Sequence, residues 1–402
     1  MMPRPRLYFV IAVRLIVVVA CSWGIWSSWQ RAVADSLYRQ DNAESIRSAI
    51  RLTPDAWAYY MRLAQLDEEG SRQYLETSLQ LNPYNTRGLI ELGLRYEADG
   101  DYAKAEKLLL QSYSMDDTYT PRWSLANFYL RRGDMPSFWT WARKAAEMPA
   151  GDVGALFALC WRVSPEPEEI TNRILNNNPV LVRQYLLFLV DKEQLQAAAS
   201  VAPRLLYNGS PDEDRPQLFS IVNALIAAND GKEADALWRQ MVQKAWVATD
   251  TQTPFNADFA RDPLPVSFDW QLSSYTGMHS WTGPSGLETE FSGGEPEQCT
   301  IAEQALVLNP GKYTLEYTFH TTDIPPETGI RWQLVDAKSG AILADSPQLS
   351  SDASKQESLA FSVAPGTPLL RLRLIYQRTV GTPRISGSLV ISSVRIELAK
   401  QS

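Results

Sequence analysis

Residues 89–112, LIELGLRYEADGDYAKAEKLLLQS, decide how the first half of the chain folds. Leu89, Leu92, Gly93 and Tyr96 recur at i, i+3, i+4 and i+7, which puts them on one face of a helix. Asp99-Gly100-Asp101 supplies a turn, and Ala105, Leu109 and Ser112 lay an apolar stripe on a second helix behind it. Gly93 and Ala105 are small where the two helices must approach closely. Such a pair cannot bury its apolar face alone, so it calls for neighbours of the same kind.

Those neighbours lie on either side. Trp123-x2-Ala126-Asn127-x2-Leu130 opens a pair whose turn is Gly133-Asp134. A shortened copy upstream has Tyr60, Leu63 and Ala64, then Ser71, Leu75, Ser78 and a closing Pro83. Downstream, Val182, Tyr185, Leu186 and Leu189 precede Ala198, Ala202 and Leu205; Leu218, Ile221, Val222 and Leu225 precede Ala234, Trp238 and Met241. From Leu156 to Asn178 the chain is apolar and helical in period but fits this spacing poorly. The spacing resembles the tetratricopeptide repeat, with its period of about 34 residues. The resemblance implies five or six helix pairs over residues 35–250, stacked as a right-handed solenoid whose first helices line a groove for a peptide or protein partner. Trp57, Trp123, Trp139, Trp141, Trp161, Trp238 and Trp246 are expected to pack rather than to touch a ligand. Residues 35–250 carry 30 acidic and 23 basic side chains. That excess suits a partner with a basic face, and a merely solvated acidic surface equally.

Leu7 to Trp29, LYFVIAVRLIVVVACSWGIWSSW, is long enough to cross a hydrocarbon core of about 30 Å. Its one charge, Arg14, lies near the start, and Trp23, Trp26 and Trp29 gather at the far end, where indoles favour the interface. Arg4, Arg6 and Arg14 orient the amino terminus to the cytoplasm, with the bulk of the chain outside it. The expectation is a single-pass anchor, residues 1–34, in a bacterial inner membrane. Two other readings stand beside it. Ala32-Val33-Ala34 fits a signal-peptidase site that would cut between Ala34 and Asp35, and Val18-Val19-Ala20-Cys21 has the form of a lipobox that would lipidate Cys21.

The 402 residues hold 38 basic and 46 acidic side chains, a net charge of −8. That balance argues against nucleic acid as a partner, since binding its backbone needs a basic stripe. Two histidines and three cysteines are too few for a structural zinc site, and no cofactor or metal is expected. Cys21, Cys160 and Cys299 are distant and odd in number, so no disulfide framework can be read.

After Asp250-Thr251-Gln252-Thr253-Pro254 the period changes from 3.6 to 2. Phe268, Trp270 and Leu272 alternate; so do Tyr313, Leu315, Tyr317 and Phe319, then Ile330, Trp332 and Leu334, then Leu370, Leu372, Leu374 and Tyr376. In the last run, Leu389 and Ile391 are followed by Val394, Ile396 and Leu398, and the slip predicts a β-bulge at Ser392-Ser393. Eight to ten strands fit residues 251–402, the size of one jelly roll. The fold class is thus α+β and multidomain: a transmembrane helix, an all-α repeat solenoid and an all-β sandwich.

Two short motifs add a resemblance. Phe255-Asn256-Ala257-Asp258-Phe259 looks like the strand that opens galactose-binding-like, carbohydrate-binding jelly rolls, and Pro310-Gly311-Lys312-Tyr313-Thr314-Leu315 is similar to a strand in their middle. The family's glycine is Ala257 here, and its acidic residue after the phenylalanine is Ala260. The whole layout is similar to membrane-anchored repeat proteins of bacterial exopolysaccharide loci, which implies a scaffold in assembly or export of a polysaccharide.

Alternation names the residues that would meet a sugar. Glu316 and His320 point away from the Tyr313–Phe319 core face, Arg331 and Gln333 away from Trp332, and Arg371 and Arg373 away from Leu372. If these strands share a sheet, they form one arginine-rich face suited to uronic acids or pyruvylated sugars. An ordinary solvated face with cross-strand Glu–Arg pairs is the other reading. Trp281 has no core register and is a stacking candidate. His279 and His320 have no nucleophile pattern beside them, and Asp269, Glu288 and Glu290 sit in no catalytic motif, so no enzyme is expected. A purely protein-binding adaptor, with the sandwich as spacer or second protein-binding module, is the alternative function.

Overall fold

The structure, a computed structural model, describes residues 4–148, 153–248, 252–366 and 369–399, with backbone only for residues 4–8. Asp250 and Thr251 of the proposed linker lie outside the described residues. The chain gathers into two compact units, the first ending at Val163 and the second beginning at Ser164.

Among the described residues, the regular elements of the first unit are all helices: α1 (Arg4–Tyr38), α2 (Ala43–Leu52), α3 (Trp57–Leu66), α4 (Ser71–Leu81), α5 (Thr86–Ala98), α6 (Tyr102–Met115), α7 (Tyr119–Arg132), α8 (Met135–Ala146) and α9 (Val153–Val163). Short polar residues start these helices. The side chains of Asn42, Asn85, Asp101 and Asp134 accept the N–H of Ser45, Gly88, Lys104 and Ser137, satisfying donors that the first turn leaves open. The quoted stretch becomes α5 and α6, with Leu89, Leu92, Gly93, Ala105, Leu109 and Ser112 all buried. A Cβ on Gly93 would lie 3.2 Å from Leu109 Cγ and 3.3 Å from the Ala105 carbonyl oxygen, which is why a glycine stands there. Of the seven tryptophans expected to pack, Trp139, Trp141, Trp238 and Trp246 are buried. Trp123 and Trp161 are half-buried, and Trp57 is exposed.

Helix α1 is long and apolar enough to cross a membrane, and it does not stop where the apolar run ends. Its last turns enter the first repeat. Ala34 is fully buried with Ile46, Ala49, Tyr59 and Leu63. Tyr59 donates its hydroxyl proton to the Asp35 carboxylate, and its ring stacks on Tyr38 at 4.9 Å. Burial and that carboxylate push the Tyr59 hydroxyl up to about 12.

The second unit opens with α10 (Pro167–Ile170), which runs into a π-helical turn over Thr171–Leu175, the stretch that fits the repeat spacing poorly. Then come α11 (Pro179–Asp191), α12 (Leu195–Val201), α13 (Leu205–Asn208), α14 (Pro211–Ala227) and α15 (Gly231–Gln243). The strands are β1 (Gln271–Leu272), β2 (Met278–Gly283), β3 (Gly286–Ser292), β4 (Gln298–Leu306), β5 (Gly311–Thr322), β6 (Ile330–Asp336), β7 (Ile342–Asp345), β8 (Lys355–Val363), β9 (Leu370–Gln377) and β10 (Ser386–Leu398). They form two five-stranded antiparallel sheets, β1-β4-β9-β6-β7 and β2-β3-β10-β5-β8. The core between them centres on Trp270, Trp332 and Tyr317, with Trp332 5.9 Å from Trp270 and 6.3 Å from Tyr317. The register of β10 against β5 slips between Ile391 and Ser393, as the change of phase predicts.

The motif at Phe255–Phe259 is a turn and not an opening strand. Asn256 and Phe259 have φ of 53° and 54°, and the buried Asn256 amide exchanges hydrogen bonds with the Arg261 backbone. The segment still supports the sheet: the carbonyls of Ala257 and Thr253 accept from the Val394 and Ile396 N–H, beyond the end of β3. Phe268 and Trp270 likewise precede β1 rather than belong to it.

Candidate functional site

The expected arginine face divides between two sheets. Arg331 and Gln333 on β6 and Arg371 and Arg373 on β9 do share one outer surface, but Glu316 and His320 on β5 belong to the opposite sheet. The six residues therefore do not form one face. The arginines are also engaged. Arg371 and Arg373 each reach Glu303 on β4, at 2.5 Å, and Arg331 reaches Asp345 on β7 at 3.0 Å and Gln377 at 2.6 Å. Gln333 is buried within that row, opposite Arg373 and Asp345. This is the ordinary reading of the sheet: cross-strand pairs that neutralise one another, with no guanidinium fork turned to a ligand.

The other outer surface is different. Along β2, His279 and Trp281 project to the same side, and their rings stack at 5.3 Å with 25° between planes. Two rows of paired positions extend from them across the sheet. Trp281 is followed by Glu288 on β3, Val390 on β10 and His320 on β5. His279 is followed by Glu290, Ser388 and Thr322. Both histidines of the chain thus stand on one surface, with Trp281 at its margin.

At the end of the second row lies an open depression of about 470 Å³. Tyr275, His279, Glu290, Asp323 and Ser388 are among the residues that line it. The Ser274 hydroxyl holds the His279 ring through a 3.0 Å hydrogen bond to Nδ1. Gly277, with φ of 83°, brings the Tyr275–Met278 hairpin against Gly294. Among the described residues, neither the Glu290 nor the Asp323 side chain makes a hydrogen bond or an ion pair, and no Lys or Arg lines the depression. The arrangement offers a flat aromatic surface beside hydrogen-bond acceptors, the usual makings of a site for a polar ring with apolar faces.

The remaining carboxylate considered from the sequence, Asp269, is structural. It is 1% exposed and accepts the N–H of Leu264 and Trp270. Burial holds its carboxyl above the usual range, against the pull of those donors. In the first unit a smaller notch of about 350 Å³ lies between α4, α5 and α6, with Leu79, Pro83, Leu89, Leu92 and Leu108 among its lining.

Trp281 was legible as a residue without a core register. Tyr275, His279 and Asp323 were not legible as site residues, nor was Glu290 as part of the lining of a depression. The i, i+2 spacing of His279 and Trp281 was the signal available, since it puts both rings on one side of a strand.

No family model matches the chain, and no curated protein matches it. Among solved structures, it is similar to a thermophilic TPR protein of Thermus thermophilus, with 25% identity over 29% of this chain and 68% of that one and a TM-score of 0.27. A second is the TPR protein YrrB, described as having an unusual peptide-binding site, with 12% identity over 50% and 93% and a TM-score of 0.25. A third is TmCBM61, solved in complex with β-1,4-galactotriose, with 13% identity over 37% and 100% and a TM-score of 0.27. In fold, the chain is a helical repeat array of tetratricopeptide spacing followed by a jelly-roll sandwich.

Proposed function

We propose that this protein is a membrane-anchored, non-catalytic scaffold of the bacterial cell envelope, working in exopolysaccharide assembly or export. The anchor is residues 1–34, the repeats are residues 35–250 and bind protein, and the sandwich is residues 251–402 and binds a glycan. The observation that carries the glycan part is the stacked His279–Trp281 pair beside the depression holding Glu290 and Asp323. Of the side chains singled out from the sequence, Trp281 and His320 belong to that surface; Glu316 lies further along β5, and Arg331, Gln333, Arg371 and Arg373 contribute to the fold. The test is a glycan array probed with the full chain in detergent. Trp281→Ala is expected to weaken binding at least about tenfold, the scale of one lost aromatic stack, with the thermal midpoint unchanged. An array on which the folded wild-type chain binds nothing overturns the glycan reading and leaves the sandwich as a spacer in a protein-binding adaptor.

The anchor reading is that α1 stays attached, inserted once in the inner membrane with its amino terminus in the cytoplasm. Support comes from the burial of Ala34 and the Tyr59–Asp35 hydrogen bond: a cut between Ala34 and Asp35 would sever a helix that is packed on both sides of the break. Intact-mass measurement of the native protein is expected to show residues 1–34 retained and Cys21 without lipid. A mature chain beginning at Asp35 or Cys21 overturns this.

A further inference from the structure

The charge on the two outer surfaces of the sandwich runs opposite to what the arginine count suggests. On the β4-β9-β6-β7 surface, every arginine considered has a carboxylate partner: Arg371 and Arg373 share Glu303, and Arg331 holds Asp345. An acidic sugar brought there would have to displace an existing pair, and the displaced carboxylate would then repel it. At the depression on the β2-β3-β10-β5 surface the uncompensated groups are acidic, whereas Arg395 and Lys312 stand further along β10 and β5. Glu290 and Asp323 both line one depression, their side chains without hydrogen-bond or ion-pair partners among the described residues. Glu288 adds a third carboxylate in the Trp281 row, close over Gly283. An anion in the depression would meet at least two negative charges and no Lys or Arg of its lining.

We infer that the ligand of this surface is an aminated glycan, a hexosamine chain carrying free ammonium groups, with the amine at Glu290 and Asp323 and a sugar ring on the His279–Trp281 stack. The inference rests on the glycan reading above and narrows it by charge. Two carboxylates lining one cavity suit an ammonium, a compact charge with three donors, and the stacked rings suit the apolar face of a pyranose. Because the depression is open, the charge pairing is screened by salt and the stacking is not. Binding of the amine form therefore weakens as salt rises, toward the affinity of the neutral form.

The experiment is calorimetry on the full chain in detergent with three probes: a β-1,4-glucosamine hexamer, its fully N-acetylated counterpart, and an oligogalacturonate of the same length. The glucosamine hexamer is expected to bind at least tenfold more tightly than the acetylated one at low salt, and the oligogalacturonate most weakly. Glu290→Gln and Asp323→Asn should each weaken the glucosamine hexamer by a larger factor than the acetylated one, so that most of that preference is lost. Both side chains are exposed, and Asn tolerates the φ of 59° at position 323, so neither variant threatens folding. Equal binding of the amine and acetylated forms, or tighter binding of the oligogalacturonate, overturns the inference while leaving a glycan site in place. Binding of none of the three here, together with an array that finds other glycans lost in Trp281→Ala, also overturns it. A silent array removes the glycan reading itself.

Discussion

Trp238→Ala is expected to destabilise the second unit by about 3–5 kcal/mol, the cost of emptying a large aromatic from a packed site, and to lower its thermal midpoint by about 10 °C. Trp238 lies on α15, yet its ring packs on both sides of the change from helices to strands. It meets Phe219 of α14 at 6.2 Å, Phe255 at 5.2 Å and Phe268 at 5.8 Å. Asn223 of α14 works beside it: its carbonyl oxygen accepts from the Ser267 N–H at 2.8 Å and the Ser267 hydroxyl at 3.0 Å, and its amide donates to the Pro265 carbonyl. The last helix pair therefore forms part of the sandwich's own packing, and the two should melt together. A loss below about 1 kcal/mol in Trp238→Ala, measured by urea titration of the full chain, would show that helices and sheets unfold separately. The same contacts mean that residues 252–402 taken alone would leave Phe255 and Phe268 uncovered.

Gly277→Ala should cost about 2–4 kcal/mol and, on the glycan reading proposed above, abolish binding together with stability. A Cβ at this position would lie 2.3 Å from the Gly294 carbonyl carbon and 2.4 Å from the Glu295 nitrogen, both backbone atoms that no side-chain rotation can move. The positive φ adds about 1 kcal/mol for any residue with a Cβ. The hairpin that carries Tyr275 and His279 would have to lift away from the loop after β3, and the depression would lose a wall. Denaturant titration and calorimetry on the same sample check both parts. Unchanged ligand affinity in a destabilised Gly277→Ala chain would place the site away from this hairpin.

The helical half was legible because apolar spacing on a helix reports directly which face is buried, and Leu89, Leu92, Gly93 and Leu109 all landed there. The slip at Ser392-Ser393 was legible for the same reason, since a strand's two faces alternate strictly. Alternation says which way a side chain points, but not which strand lies beside its own. Grouping β5 with β6 and β9 therefore joined residues that the jelly-roll order separates onto opposite surfaces. The site itself draws on the hairpin after β1, on β2, β3 and β10, and on the loop after β5. No local pattern links Tyr275, Glu290, Asp323 and Ser388 across more than 110 residues. The turn at Phe255–Phe259 escaped because its apolar ends mimic alternation, while Asn256, which tolerates positive φ, marks where the backbone reverses.

Helix α1 gives the proposed anchor a mechanical character. It passes from Phe9 to Tyr38 with no glycine-rich or proline hinge between the apolar run and the first repeat, so about 14 Å of rigid rod separates Trp29 from Tyr38. A hydrophobic segment adjusts to a thinner bilayer by leaning over. With α1 as the anchor proposed above, any lean would be handed to Ala34 and the helices packed around it, so that lipid thickness would set the pitch of the first repeat, as a keel sets the heel of a mast.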